Sequence, residues 1–276
     1  MFASDLLARC PSRIAAALLA AGLWLTPDAA AEATELARLP PGAEVDVMLV
    51  LAVDASQSMD ESEQRVQRNG YVEALTSREV LDAIAMGPNG KIAVAYFEWG
   101  SSDNQSLIAP WQIIDGAKTA ENFANRIAAA PLQNLEKTSI TSALTYADRL
   151  FAAADIEAGR KVIDISGDGP NNDGPAATNI RDALVDKGVT INGLPILMGR
   201  TEDSVWNQPA LDIYYQDCVI GGAGAFLVPV EGMENFSKAL KMKLILEIAG
   251  LVVPAPANGG IIPAAGKAPT DCRSVP

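Results

Sequence analysis

The sequence predicts an α/β fold in which a doubly wound, mostly parallel central sheet carries helices on both faces and one antiparallel edge strand. Three observations carry this expectation. The run Val45–Val53 is apolar on both alternating faces except at Asp46, the pattern of a strand buried between two helical layers. Strand-length apolar runs then alternate with segments of helical periodicity along the rest of the chain. Finally, no internal repeat is visible, and Ala43–Gly250 is long enough for one well-buried domain and short for two.

Each element follows from local pattern. Val66, Val72 and Leu75 lie at helical spacing in Asp60–Leu75, and Thr76 or Ser77 can cap a second short helix to Ile84. Pro88-Asn-Gly90 is a turn, and Lys91–Trp99 is the next strand. The turn-rich stretch Gly100–Asn104 leads into Ser106–Ile114, so this pair reads as a hairpin at a sheet edge. Helices are expected at Ala120–Ala130 and Ile140–Ala153, followed by a short strand at Lys161–Ile165. A loop rich in Gly, Asn and Asp precedes a helix over Pro175–Lys187. Val189–Leu197 and Ala225–Val230 complete the strands, and a helix over Asn235–Ile248 closes the domain.

The ends read differently. Arg9 and Arg13 precede an apolar run, Ile14–Leu25, broken only by Gly22, and small residues follow at Ala29, Ala30 and Ala31. A basic region, a short apolar region and an A-x-A-like site make residues 1–31 a secretory signal peptide. The apolar run is too short to span a bilayer, so no membrane insertion of the mature chain is expected. Residues 32–43 form a linker, 44–250 the domain, and the Pro/Ala/Gly-rich residues 251–276 a flexible tail. Export places the protein in the periplasm or outside the cell, and cleavage removes Cys10. Cys218 and Cys272 then remain in a compartment that permits disulfides, and they are expected to pair.

Composition excludes several functions. The 276 residues contain no histidine, which removes Ser-His-Asp triads, Cys-His dyads and His-ligated zinc. Three scattered cysteines cannot build a four-thiolate zinc or iron–sulfur site. A formal charge of −13 argues against nucleic acid and anionic membrane surfaces, which need a basic face to displace counterions. Any metal must therefore be bound by oxygen, as Mg²⁺, Mn²⁺ or Ca²⁺ are.

In such sheets ligands bind beyond the carboxyl ends of the strands, and three polar clusters fall there. Asp54-Ala-Ser56-Gln-Ser58 leaves the first strand with a carboxylate and two hydroxyls at alternate positions. Hard divalent cations favour that set, although Ser58 or Asp60 could instead cap the next helix. Thr138 and Ser139 stand at the start of a helix, where either would serve as an ordinary cap. Asp168, between Gly167 and Gly169, ends a strand and could belong to a tight turn that needs glycine for its backbone angles.

Taken together and in this order, the clusters resemble the von Willebrand factor A (vWA) domain, a Rossmann-like fold with a metal-ion-dependent adhesion site (MIDAS). That family's pattern is Asp-x-Ser-x-Ser after the first strand, a Thr before a later helix and an Asp-Gly after the fourth strand. The chain looks closer still to a bacterial family of exported vWA-like proteins known only as a domain of unknown function. Tyr96-Phe-Glu-Trp99, Ile163–Asn172, Ile191-Asn-Gly-Leu-Pro195 and Cys218–Phe226 carry that likeness. The resemblance implies a divalent cation, Mg²⁺ foremost, with Ser56 and Ser58 as direct ligands. Thr138 would bind directly or through water, and Asp54 and Asp168 would hold its waters. One position stays open for an Asp or Glu carboxylate of a protein partner. Three departures stand out: Gln57 and Lys137 where Gly is usual, and Gly167 for the common Thr. Lys137 would put a positive charge near the site.

A haloacid-dehalogenase-type phosphatase also begins with a buried strand ending in Asp. It needs a second Asp two residues on as general acid/base, and Ser56 stands there, unable to move protons at neutral pH. The expected function is therefore a non-catalytic, cation-dependent binding module. The alternatives are that phosphatase, or a vWA domain whose metal is only structural. Glu98 and Trp99 end the second strand near the same rim, where an exposed Trp would mark an interface and a buried one the core.

Overall fold

The computed structural model describes residues 39, 42–197, 211–250, 262–263 and 271–273. The signal peptide expected over 1–31 lies outside the described residues, as do most of 32–43 and of 251–276. In chain order the elements begin with β1 (Ala43–Asp54), α1 (Glu61–Thr76), α2 (Arg78–Ala85), β2 (Ile92–Trp99), β3 (Gln105–Ile114), α3 (Ala117–Ala129) and α4 (Ile140–Ala153). They continue with β4 (Ile156–Gly167), α5 (Thr178–Asp186), β5 (Val189–Leu197) and a single turn α6 (Leu211–Tyr214), which runs into a π-helical turn at Tyr215–Val219. The short strands β6 (Phe226–Leu227) and β7 (Val230–Glu231), helix α7 (Phe236–Ala249) and the two-residue β8 (Ile262–Pro263) complete the fold.

The strand order is β3-β2-β1-β4-β5-β6-β8, with β7 pairing with β5 off this path. β1 is parallel to both β2 and β4, and β4 to β5. β3 is the expected antiparallel edge strand, and β8 adds a second antiparallel pairing at the opposite edge. Pro110 sits in β3, where the missing N–H falls on an edge rather than inside the sheet.

Strand alternation divides the core in two. Met48, Val50 and Ala52 of β1 face α4, α5 and the π turn, whereas Val47, Leu49, Leu51 and Val53 face α1, α2, α3 and α7. β1 is thus buried on both faces, as its uninterrupted apolar run predicts. α1 begins at Asp60, whose side chain accepts from the N–H groups of Ser62 and Glu63 while Glu63 reaches back to the Asp60 N–H. This capping box fixes where the helix starts. Ser77 caps α2.

Two elements depart from expectation. β4 starts at Ile156, well before Lys161, because its first half lies at the sheet's exposed end and alternates half-buried with exposed residues. The strand expected over Ala225–Val230 is two short pairings, Leu227 with Gly193 and Val230 with Ile196. Pro229, which has no N–H to donate, separates them.

Buried charge is handled by pairing. Arg68 of α1 grips Glu98 of β2 through Nε–Oε1 at 2.6 Å and Nη2–Oε2 at 2.8 Å, and donates to the carbonyls of Ala130 and Pro131. Glu98 is therefore the buried anchor of Arg68, which holds the segment after α3 against the sheet, and not a rim residue. Trp99 is fully buried and belongs to the core. On α7, Lys243 Nζ lies 2.6 Å from Asp164 Oδ1 of β4 and 2.5 Å from Glu247 Oε1, and Asn192 of β5 donates to the same Glu247 oxygen at 2.9 Å. Cys218 and Cys272 are joined in a disulfide with Cα atoms 5.4 Å apart. With β8, it ties two points of the region 251–276 to the domain.

Burial, and then the charge of Asp164, push the Glu247 carboxyl up to about 7 from its ordinary 4.5. The folded chain keeps that proton at pH values where the unfolded chain has lost it. Its contribution to stability is full below about pH 4.5 and is lost as pH rises toward about 7. Urea midpoints at pH 5 and pH 7.5 should fall more steeply for wild type than for Glu247→Gln. Parallel losses would refute this assignment.

Candidate metal centre

The carboxyl ends of β1 and β4 are neighbours in the sheet, Val53 lying beside Ser166, so the loops that follow them emerge together. Asp54 is fully buried, and its Oδ1 accepts from the Ser56 N–H at 2.7 Å. Ser56 and Ser58 place their hydroxyl oxygens 2.9 Å apart, and Ser58 donates to Asp168 Oδ1 at 2.7 Å. Four of the five expected ligands are therefore joined by one run of hydrogen bonds, Asp54 through the Ser56 backbone N–H and the other three through their side-chain oxygens. Because Asp60 caps α1, Ser58 is released from capping and its hydroxyl turns to Asp168.

Thr138 joins through the backbone. Leu135 donates its N–H to the Ala55 carbonyl at 3.0 Å, forming a bridge between the loop after β1 and the loop before α4. Thr138 in turn donates its N–H to Asn172 Oδ1 at 2.7 Å and accepts the Asn172 N–H on its carbonyl at 2.8 Å. Its hydroxyl lies against Gly169, next to Asp168. Ser139 occupies the cap position of α4 but makes no side-chain capping bond; its hydroxyl donates instead to the Asp173 carbonyl at 2.9 Å. The cap reading thus fails for both residues. Sequence reasoning missed the role of Asn172, although the Asn pair two residues after the Gly-Asp-Gly segment is a legible signal.

The two carboxyls share an unfavourable setting. Asp54 is pushed up to about 8 by burial and then by the charge of Asp168, against the opposing hydrogen bonds from Ser56. Burial also raises Asp168, opposed by the Ser58 hydroxyl. Among the described residues, neither pairs with a Lys or Arg, and Asp54 Oδ2 is buried without a hydrogen-bond partner. Lys137 does not fill this role: its Nζ turns away to Asp173 Oδ1 at 3.2 Å. Among the described residues, no three acidic or thiol side chains converge as a metal site of that kind would require. The set here is two carboxylates with three hydroxyls, and an uncompensated buried carboxylate with hydroxyl neighbours fits a hard divalent cation.

Gly167 is required for a reason other than a turn. Its φ is not in the left-handed region. Instead, a Cβ there would stand 2.7 Å from the Tyr215 hydroxyl and 2.9 Å from Asp54 Oδ2. Lys137, by contrast, has φ +58°, which accounts for the glycine usual at that place.

Among solved structures, the chain is similar to proximal thread matrix protein 1 from the mussel byssus, at 16% identity over 75% of this chain and 48% of that one, TM-score 0.51. It is also similar to a von Willebrand factor type A protein from Catenulispora acidiphila, at 13% identity over 75% and 43%, TM-score 0.53. The vWF domain of the type V pili tip protein Mfa5 from Porphyromonas gingivalis aligns at 12% identity over 79% of this chain and 99% of that one, TM-score 0.50. A further structure of the mussel protein, at 17% identity and TM-score 0.50, has a zinc-occupied MIDAS motif. This chain spans about half the length of the mussel protein. The shared fold is that of the vWA domain. No curated protein matches the chain. The family model described as "Protein of unknown function (DUF1194)" matches residues 44–252, and the chain belongs to that family.

A left-handed backbone at a residue with a Cβ costs roughly 1–2 kcal/mol, and the exposed Lys137–Asp173 pair offsets little of it. Lys137→Gly is expected to stabilise the protein by up to about 1 kcal/mol in chemical denaturation. A clear loss of stability would show that the lysine holds the loop.

Proposed function

We propose that this DUF1194 protein is an exported, non-catalytic binding module that captures a protein partner through a divalent cation, Mg²⁺ foremost. The observation that carries the reading is the buried Asp54 carboxylate, joined through Ser56 and Ser58 to Asp168 and left without a basic partner among the described residues. A bound cation supplies positive charge and an open coordination position for a carboxylate oxygen. Ser56, Ser58 and Thr138 offer it neutral oxygens, while Asp54 and Asp168 balance its charge. Asn172 fixes Thr138, and the capping box at Asp60 fixes the end of the Asp54–Ser58 loop.

The zinc-occupied MIDAS of the structurally similar mussel protein supports use of a divalent cation by this fold. Pilus and byssus proteins among the similar structures support a role in adhesion or assembly. Export rests on the N-terminal sequence. Among the described residues, no helix is long and apolar enough to cross a membrane. At a formal charge of −13 the protein repels an acidic partner at range, and a cation at the rim reverses the local field.

Ligand binding at about 100 times Kd stabilises a fold by about 2.7 kcal/mol, which for a domain of this size is a rise in Tm of roughly 5–10 °C. Saturating Mg²⁺ should raise the Tm of wild type by about that amount and leave Asp54→Ala unmoved. A partner captured from periplasmic extract in Mg²⁺ should be released by EDTA and not be bound by Asp54→Ala. Capture indifferent to both would overturn the mechanism. A Tm shift without any metal-dependent partner would assign the cation a structural role.

A further inference from the structure

The proposed cation site has a neighbour that the vWA pattern does not include. Tyr215 is fully buried in the π-helical turn after α6, and its ring lies in a slot formed by two glycines on adjacent strands. A Cβ on Gly193 of β5 would stand 2.8 Å from ring atom Cδ1 of Tyr215. A Cβ on Gly167 of β4 would stand 2.7 Å from its hydroxyl oxygen. The phenol therefore runs across the carboxyl edge of the sheet and ends beside Asp54.

Two oxygens converge there. Tyr215 Oη and Asp54 Oδ2 both lie within 3 Å of the position a Cβ on residue 167 would take, and among the described residues neither has a hydrogen-bond partner. One is a donor and the other an acceptor. Unsatisfied buried polar atoms are rare in native proteins, and a complementary pair at one place is rarer. The side chain absent at Gly167 is where the vWA pattern commonly carries a threonine. In this chain a hydroxyl reaches the same place from the π turn instead. Cys218, three residues further along that turn, is held by its disulfide to Cys272, which restrains the segment bearing the tyrosine.

The two do not bond to each other as they stand; we propose that Tyr215 is a positioning residue of the cation site, its buried, unpartnered hydroxyl closing onto Asp54 Oδ2 and orienting that carboxylate when a cation is bound. Gly167 and Tyr215 are then a matched pair, one making the space that the other's hydroxyl uses. This inference rests on the reading of the site as a cation centre, and the two can fail separately.

Full-length protein with the disulfide intact is titrated with MgCl₂ by calorimetry, and its near-ultraviolet tyrosine difference spectrum is recorded. Wild type should bind Mg²⁺ with a tyrosine perturbation, and Asp54→Ala should not bind. Tyr215→Phe keeps the ring and removes the hydroxyl; it should bind about tenfold more weakly and lose most of the spectral change. Gly167→Ala drives a methyl against both the hydroxyl and Asp54 Oδ2, so it should weaken binding at least as much, and only a double variant that loses less than the product of the two reports the coupling to Tyr215. Melting curves without Mg²⁺ identify any variant that is merely unstable. Wild-type Mg²⁺ affinity and an intact spectral change in Tyr215→Phe, with binding lost in Asp54→Ala, would overturn the role of Tyr215 and leave the cation site standing. Wild type that fails to bind Mg²⁺, or Asp54→Ala that binds it normally, would overturn both.

Discussion

A fully buried carboxylate with no base beside it among the described residues is the constraint around which this end of the protein is organised. Asp54 terminates a central strand of the sheet, flanked by β2 and β4 and covered by helices on both faces. Ionising such a group costs several kcal/mol unless charge or hydrogen bonds compensate. One oxygen is satisfied by the Ser56 N–H. The other lacks a bond among the described residues, and Asp168 beside it raises the penalty rather than relieving it. The hydroxyls of Ser56, Ser58 and Thr138 stand around the pair without supplying charge, and the lysine of the neighbouring loop is turned to Asp173.

The rest of the core shows that this is not how the fold treats buried acids in general. Glu98 receives a two-pronged guanidinium from Arg68, with Tyr96 adding a hydroxyl at 3.3 Å. Asp164 and Glu247 share the ammonium of Lys243, with Asn192 completing the cluster. Each of those groups connects elements distant in sequence and gives the interior a single register. Among the described residues no such cation reaches Asp54 or Asp168, and the nearby Lys137 is committed to Asp173. An acid pair left without a basic partner among the described residues, where three loops meet, is what the proposed cation site would use to draw its positive charge from outside.

How much of this was legible in the sequence depends on how local each determinant is. The bounds of α4 and β5 follow from their own apolar patterns, and the ends of α1 and α2 from their caps. Asp54, Ser56 and Ser58 could be named because they lie within five residues of one another on one loop. β4 is longer than its apolar run because alternation at the exposed end of the sheet looks like polar coil, and the strand after Gly224 is shorter than expected because Pro229 interrupts an otherwise continuous apolar run. The π turn was not legible at all. Tyr214-Tyr215-Gln-Asp-Cys218 has neither helical nor strand periodicity, and its role is set by Gly167 and Gly193, which lie on other strands. Gly167 itself was read as a turn residue, whereas its lack of a side chain matters only because a tyrosine from another part of the chain arrives there.

Burial gives the proposed centre a direction. Asp54, Ser56 and Thr138 are buried, Asp168 is half-buried, and Ser58 is exposed, so the oxygens form a slope from the sheet edge toward solvent. A partner's carboxylate can reach the set only from the side of Ser58 and Asp168. That side is already negative, since Glu63 adds its repulsion to that felt by Asp168. Without a cation, an approaching acid meets like charge at close range, where the cost is greatest. The same acids that would repel such a partner are those that would hold the cation, so on this reading affinity and cation dependence arise from one feature. A neutral rim would relax both together, because it would neither retain a hard cation nor need one to admit a carboxylate.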